Sequence, residues 1–397
     1  MEKKSPRYSI ARLAGRDYLL PFGQGIVDQQ GAYEVNDTAL FLWSRADDFE
    51  EPEDLFRAWV QHDRIPPEQL DEARADFEAC MRSLERCHLL DGPAPLRFPA
   101  EPHYKRVKIA HLAIDFQGSP NFFPAGYVPF ATPDPLGKGT ADQTVTVTLA
   151  LPRPCPGARV LLENDQLAVL DEGDLWRLAY PGFRHVRLVR VTKDGSRVAL
   201  HVSPVCHDDE DGMEHLRFEV FHALRLPFLV RAEQERMYAL HSCSLLYRGK
   251  AWLVSAPSGT GKSTHARLWE SLGYATVLNG DLNLISADTM SVCGIPWCGT
   301  SGVATTQEVP LGGVILLTRG KTDRLIPIRE DQKQLRTMQR LISPLWTEQM
   351  LGDCVGFSQE LAQRVPVWSL SATTRPTAAR LMKNAVDSWL DDGEGAR

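Results

Sequence analysis

The chain has 397 residues, 43% of them hydrophobic and 24% charged, with a formal net charge of −7. Its length suggests roughly two or three globular domains, each with enough apolar material for a core. The acidic balance argues against nonspecific binding to nucleic acid or an anionic membrane, which needs clustered cations.

The N-terminal stretch MEKKSPRYSIARLAG is basic but lacks the apolar run of a signal peptide. No apolar run elsewhere approaches the ~20 residues that span a bilayer. The eight cysteines are scattered, without a C-x-x-C pair, and the closest two are Cys293 and Cys298. That usage predicts reduced thiols in a cytoplasmic protein, not a disulfide framework or a structural zinc site.

The first unit, 1–95, contains YLLPFGQGIVDQQGAYEV (18–35), whose glycines and short apolar runs predict small strands. Asn36 or Asp37 caps the helix that follows, TALFLWSRAD. EPEDLFRAWVQHD predicts a second helix, with Pro52 and acidic residues in its first turn, where the helix dipole favours them. After Pro66-Pro67 a third helix runs to about Cys87, with Leu70, Ala73, Phe77 and Leu84 on one apolar face. DGPAPLRFPAEP (91–102) is proline-rich and reads as a linker.

The second unit, 96–225, continues from that linker into strand-like sequence. TVTVTLAL (144–151) is β-branched and alternating. HVRLVRVTKDGSRVALHV (185–202) places Asp194-Gly195 between two alternating runs, a hairpin signal. HDDEDGMEH (207–215) lacks the ligand spacing of a calcium loop and reads as a solvated acidic loop.

The third unit, 226–397, is entered through one continuous helix, LRFEVFHALRLPFLVRAEQ (216–234). Short apolar runs then alternate with helical segments, an α/β pattern. It closes on a helix from Pro376 to Leu390 and a frayed tail, DDGEGAR.

The chemistry concentrates in LVSAPSGTGKSTHARLW (253–269). A phosphate site at a helix N-terminus needs a tight turn, converging N–H groups and a cation for the outer phosphates. Ser258, Gly259, Thr260 and Gly261 supply the turn, Lys262 the cation, and Ser263 the hydroxyl for Mg²⁺. The nucleotide-binding stretch is therefore Ala256, Pro257, Ser258, Gly259, Thr260, Gly261, Lys262, Ser263 and Thr264. KAWLVSA before it reads as a buried strand, and THARLWESLG after it as a helix with Leu268 on its inner face. Ala256 stands where the G-x-x-x-x-G-K-[ST] pattern has its first glycine. If that position needs a positive φ, alanine costs on the order of 1 kcal/mol.

Asp281, at the end of YATVLNGD, suits a magnesium ligand or catalytic base, or is a strand-terminal turn residue. His241, in MYALHSCSLLY, could assist proton transfer or sit satisfied at a strand. GIPWCGTSG (294–302) has the aromatic and glycine content of a loop that could cover the site, with Trp297 read as structural, and Arg319 either offers charge to the phosphates or is an exposed strand-end arginine.

ALHSCSLLYRGKAWLVSAPSGTGKSTHARLW, then LNGDLNLI, then GIPWCG, resembles the HPr kinase-like family, in the branch found with peptide-modifying gene clusters. The resemblance covers most of 105–390. It implies an α/β fold, a P-loop HPr kinase-like core with a β-rich N-terminal subdomain. It implies ATP and Mg²⁺, with Lys262, His241 and Asp281 catalytic and Ser263 and Asp281 holding the metal. The family's acidic pair falls at Gly280-Asp281, so Asp281 serves alone as base or metal ligand.

LLPFGQG, GAYEVNDTALFLW and the helix ending LERCHLL resemble PqqD, a small winged-helix-like recognition domain that binds leader peptides of ribosomally made, modified peptides. That implies capture of a precursor peptide along the edge strand Gly31–Val35, with the third helix as the other wall. Tyr33 and the helix's apolar residues line that groove or pack the small core. The implied function is ATP-dependent phosphorylation of a serine or threonine hydroxyl on the captured peptide. A nucleotide-gated peptide carrier and a small-molecule hydroxyl kinase remain the alternatives. The implied partners are the precursor peptide and other peptide-modifying enzymes, with no nucleic acid and no membrane. Relatives in the HPr kinase-like family assemble into homo-oligomers.

Overall fold

The computed structural model describes residues 3–4, 8–21, 31–49, 51–87, 89–91, 103–118, 122–132, 139–149, 158–202, 210–257, 259–299 and 302–394. Over these residues the protein is mixed α/β.

The first unit pairs β1 (Tyr8–Leu13), β2 (Arg16–Pro21) and β3 (Tyr33–Val35) in the order β1-β2-β3, which leaves β3 on an edge. Sequence patterning does not reveal the β1–β2 hairpin. Its turn is Ala14-Gly15, at φ 48° and 82°, so alanine takes a left-handed position usually given to Asn or Asp. The expected edge strand Gly31–Val35 is shorter, with only Tyr33–Val35 paired.

Asn36 Oδ1 accepts the Ala39 N–H at 2.8 Å and caps α1 (Asp37–Arg45). Helix α2 (Pro52–Asp63) starts on its proline, as expected. The third helix, α3 (Leu70–Arg86), buries Ala73, Phe77 and Leu84 against Leu42, Phe56 and Trp59. Leu70 does not join them. It is 37% exposed, at the first helical residue after the Pro67–Gln69 turn. Of the expected linker 91–102, Asp91 is instead in a short strand paired antiparallel with Lys3, and 92–102 lie outside the described residues.

The second unit forms an eight-stranded sheet. Its strands are β4 (His103–Ile109), β5 (Leu112–Gly118), β6 (Gln143–Leu149), β7 (Arg159–Glu163), β8 (Ala168–Asp171), β9 (Leu175–Ala179), β10 (Val186–Thr192) and β11 (Arg197–Val202). Their spatial order is β4-β5-β6-β11-β10-β9-β8-β7. The Asp194-Gly195 hairpin forms between β10 and β11, with Val191 opposite Val198.

The expected single helix 216–234 is instead two, α4 (Glu210–Ala223) and α5 (Arg225–Gln234). Proline at 227 has no N–H, and its ring collides with the carbonyl four residues back, that of Ala223. The freed Ala223 carbonyl accepts the Tyr180 hydroxyl at 3.1 Å. The stretch expected as an acidic loop is helical from Glu210 onward, and 207–209 lie outside the described residues.

The third unit contains β12 (Met237–Tyr247), β13 (Lys250–Ser255), α6 (Lys262–Ser271), β14 (Thr276–Asn279), β15 (Leu282–Ser286), β16 (Ser291–Gly294) and β17 (Val309–Arg319). After these come β18 (Arg324–Ile326), α7 (Glu330–Met338), α8 (Glu348–Arg364), β19 (Val367–Ala372) and α9 (Pro376–Glu394). The final helix continues past Leu390 into the expected tail, and 395–397 lie outside the described residues.

Strands β13, β17 and β19 run parallel, side by side. Both faces of that trio are covered, as parallel strands require. Alternation along β13 sends Trp252 and Val254 toward α6 and α9, and Ala251 and Leu253 toward α8. Strand β12 changes partners midway: 237–241 pair with β15, and 242–247 pair with β13. His241 and Ser242 sit at that changeover.

Residues 8–90 have a core of their own. By contrast, Val189, Val220 and Phe228 share one core with Leu284, Ile295 and Trp297, so the 225/226 division falls inside a packed interior. No helix among the described residues is long and apolar enough to cross a membrane.

Candidate functional site

Strand β13 ends at Ser255, and the chain turns through the glycine-rich loop into α6. Ala256 is 1% exposed and packs against the α6 side of the sheet. It is not among the residues with positive φ, so alanine costs no backbone strain there. The left-handed positions fall on Gly259 (φ 72°) and Gly261 (φ 115°), where a side chain would be strained although space is open. Thr260 N–H bonds the Pro257 carbonyl at 3.2 Å and closes the turn. Ser258 lies outside the described residues.

Helix α6 starts at Lys262 with Gly261 as its cap and no side-chain capping bond, so its first N–H groups remain for another acceptor. Ser263 and Thr264 are exposed on this first turn. The inner face is His265, Ala266 and Trp269, and Leu268, expected inside, is half-buried. His265 is no phosphate group: burial pushes it down to about 4, and the Trp269 indole N–H points at its Nε2 from 3.2 Å.

Lys262, His241 and Asp281 come together. Asp281 Oδ1 lies 3.0 Å from His241 Nε2 and 3.2 Å from Lys262 Nζ, and Lys262 Nζ also contacts His241 Nε2. Three different elements supply them: β12, the start of α6, and the turn between β14 and β15. Their backbones are fixed. The Ser242 N–H donates to the Asp281 carbonyl at 2.8 Å, and Ser255 Oγ donates to the His241 carbonyl at 2.7 Å.

The Lys262 side chain is 9% exposed and that of Asp281 37%, so the carboxylate is the part of the cluster open to a substrate. Burial lowers the Lys262 ammonium below its usual range, and Asp281 offsets only part of that. For Asp281, burial is the largest influence and raises the carboxyl, but the His241 hydrogen bond and Lys262 charge together hold it below the usual carboxylate range. It is therefore ionised at neutral pH.

The segment after Gly294 passes directly over this carboxylate. Gly299 lies so close that a Cβ there would be 2.8 Å from Asp281 Cβ. Trp297 anchors the segment from inside the core, where its indole N–H donates to the Phe221 carbonyl at 2.8 Å and its ring meets Tyr127. It is structural, as read from sequence, while Thr300 and Ser301 lie outside the described residues. The Gly280 N–H bonds the Val303 carbonyl at 3.2 Å, so the residue before Asp281 is tied to the same segment.

Two arginines join this part of the structure, and sequence singles out only the first. The Arg319 guanidinium, at the end of β17, donates to the Gly259 carbonyl at 2.9 Å, so it belongs to the loop and not merely to a strand end. The Arg340 carbonyl accepts the His241 N–H at 2.8 Å, and its charge helps lower the Lys262 ammonium. Neither arginine belongs to a local motif.

Among the described residues, no group of three or more His, Cys, Asp or Glu side chains could hold a metal alone.

A second concave surface lies on the first unit. A groove of about 560 Å³ runs between β3 and α3, lined by residues including Tyr33, Glu34, Val35, Ala39, Ser83 and Leu84. Leu84 belongs to the core beneath, whereas Tyr33, Val35 and Ala39 are only partly buried.

No family model matches the chain, and no curated protein matches it.

Proposed function

We propose that this protein is an ATP-dependent kinase that phosphorylates a serine or threonine hydroxyl of a ribosomally made precursor peptide. In this reading the third unit is an HPr kinase-like P-loop domain and the first a PqqD-like recognition domain. The observation that carries the proposal is the meeting of Lys262, His241 and Asp281 at one oxygen, beside a glycine-rich loop that opens a helix.

The loop N–H groups and Lys262 hold the phosphates of ATP. Mg²⁺ carried in by the nucleotide would be shared by Ser263 and Asp281 and would neutralise charge on the outer phosphates. The exposed Ser263 and the partly exposed Asp281 carboxylate suit an ion shared with phosphate. Asp281 accepts the proton of the acceptor hydroxyl, and His241 orients the carboxylate. The hydroxyl oxygen forms a bond to the γ-phosphorus while the bond to the β-phosphate oxygen breaks, leaving ADP and a phosphopeptide.

The β3–α3 groove supports capture of the peptide. An extended leader adds to the β3 edge, and side chains enter the groove against α3. Tethering raises the concentration of the attached acceptor near the loop to roughly millimolar.

The test is the rate of ADP formation with and without precursor peptide, together with nucleotide affinity. Peptide-dependent ADP formation that disappears in Asp281→Asn, with nucleotide affinity kept, supports the proposal. Nucleotide binding without peptide-dependent turnover points to a gated carrier instead. Full activity in Asp281→Asn removes the assigned base.

A further inference from the structure

Resting on that reading, we propose that Arg319 is a phosphate-binding residue of the same site, engaging the polyphosphate of the nucleotide beside Gly259.

The argument begins with charge. Lys262 is the loop's own cation, but its ammonium already faces the Asp281 carboxylate at 3.2 Å. That pair is close to neutral, so it supplies little net attraction for a polyanion. Arg319 is different. Its guanidinium donates to the Gly259 carbonyl at 2.9 Å, and no carboxylate among the described residues pairs with it. A guanidinium stays charged throughout the accessible pH range and has further N–H donors after making one bond. Arg319 therefore brings an uncompensated positive charge to the loop.

Its position is fixed from below. Arg319 stands opposite Ala372 in the β17–β19 ladder, and the next residue, Gly320, donates its N–H to the Ala372 carbonyl at 2.9 Å. Thr318 Oγ1 adds a bond to the Leu370 carbonyl at 3.3 Å. The side chain rises from this ladder to a loop whose feeding strand, β13, lies immediately alongside in parallel register. The guanidinium is exposed, whereas Lys262 is 9% exposed, so the two cations serve different parts of the site: one inside, the other at its open rim. The ligand class this selects is a nucleoside polyphosphate. Adenosine itself gains nothing from Arg319.

The test compares wild type, Arg319→Gln and Arg319→Lys in the full chain. Affinities for Mg·ATP and for adenosine are measured by calorimetry, and thermal unfolding is followed in parallel. Arg319→Gln keeps an N–H donor for the Gly259 carbonyl but removes the charge. A charge-assisted contact predicts a loss of Mg·ATP affinity of about tenfold to a hundredfold. Adenosine affinity and melting temperature stay as in wild type, and Arg319→Lys recovers part of the loss. Wild-type Mg·ATP affinity in Arg319→Gln overturns the inference. So does a loss matched by a fall in melting temperature that lysine does not repair, since Arg319 then only braces the loop. If wild type binds neither ligand, the proposed function fails and Arg319 fails with it.

Discussion

Replacing Gly299 with alanine should disable the Asp281 carboxylate without touching the glycine-rich loop. The new Cβ would stand 2.8 Å from Asp281 Cβ and 3.1 Å from its Cγ. Carbon atoms pack at about 3.5–4.0 Å, so one group must move by roughly 0.7 Å. Asp281 has little slack, because its Oδ1 sits 3.0 Å from His241 Nε2 and 3.2 Å from Lys262 Nζ. A shift of that size breaks one of these contacts, at a cost of about 1.5–3 kcal/mol for a charge-assisted bond. Gly299 also has φ 66°, which adds about 1 kcal/mol for a residue with a side chain.

Gly302→Ala is the matched control. Its φ is 65° and nothing lies within 4 Å of the added Cβ, so it carries the backbone cost alone. The assay is single-turnover phosphoryl transfer to peptide, with nucleotide affinity measured separately. Gly299→Ala should lower transfer by about a hundredfold, the scale of an ångström-size misplacement at a reacting centre. Gly302→Ala should keep most of the rate, and both variants should bind nucleotide as wild type does. Equal rates in the two variants would refute the reasoning, because the Asp281 contact would then play no part.

Three further outcomes follow from individual contacts. His241→Ala removes the largest influence lowering the Asp281 carboxyl while leaving its burial, so that carboxyl rises and the acid limb of the pH–rate profile moves upward; an unmoved limb would contradict the assignment. Ser83→Trp fills the β3–α3 groove and should weaken precursor-peptide binding at least about tenfold with nucleotide affinity unchanged; undiminished peptide binding would relocate the capture site. Burial raises the Glu233 carboxyl to about 8, with the Asp353 charge adding to it and Ser343 opposing. The stability this group contributes is fully present below the unfolded carboxyl's range and is lost as pH rises through about 8. Because Glu233 keeps some solvent contact, the change is on the order of 3 kcal/mol. Chemical denaturation across that range should show a steeper decline in wild type than in Glu233→Gln.

The loop was legible in the sequence because phosphate binding demands glycine, lysine and hydroxyl at fixed spacing, and those constraints are local. His241 and Asp281 were legible only as candidates beside a strand and at a strand end, because the contacts among them are made by strand pairing that no short window encodes. Arg319 was legible as a charge for the phosphates or a strand-end arginine, and nothing in the local sequence singles out Arg340. Arg319 reaches the loop because β17 runs beside β13, and Arg340 reaches His241 because Leu341 bridges to Leu240. Local chemistry misled in smaller ways. The Ala14-Gly15 turn lacks the usual Asn or Asp, while Pro227 marks the break between α4 and α5 that helical periodicity smooths over. Ala256 looked like a defect in the motif, yet the left-handed conformations fall on Gly259 and Gly261 instead.

The most direct test of the account is the intact mass of the precursor peptide after incubation with the full chain and Mg·ATP. The account predicts that the peptide gains one phosphate with wild type and none with Asp281→Asn, although that variant still binds nucleotide. A peptide of unchanged mass with wild type, despite bound peptide and bound nucleotide, would contradict it.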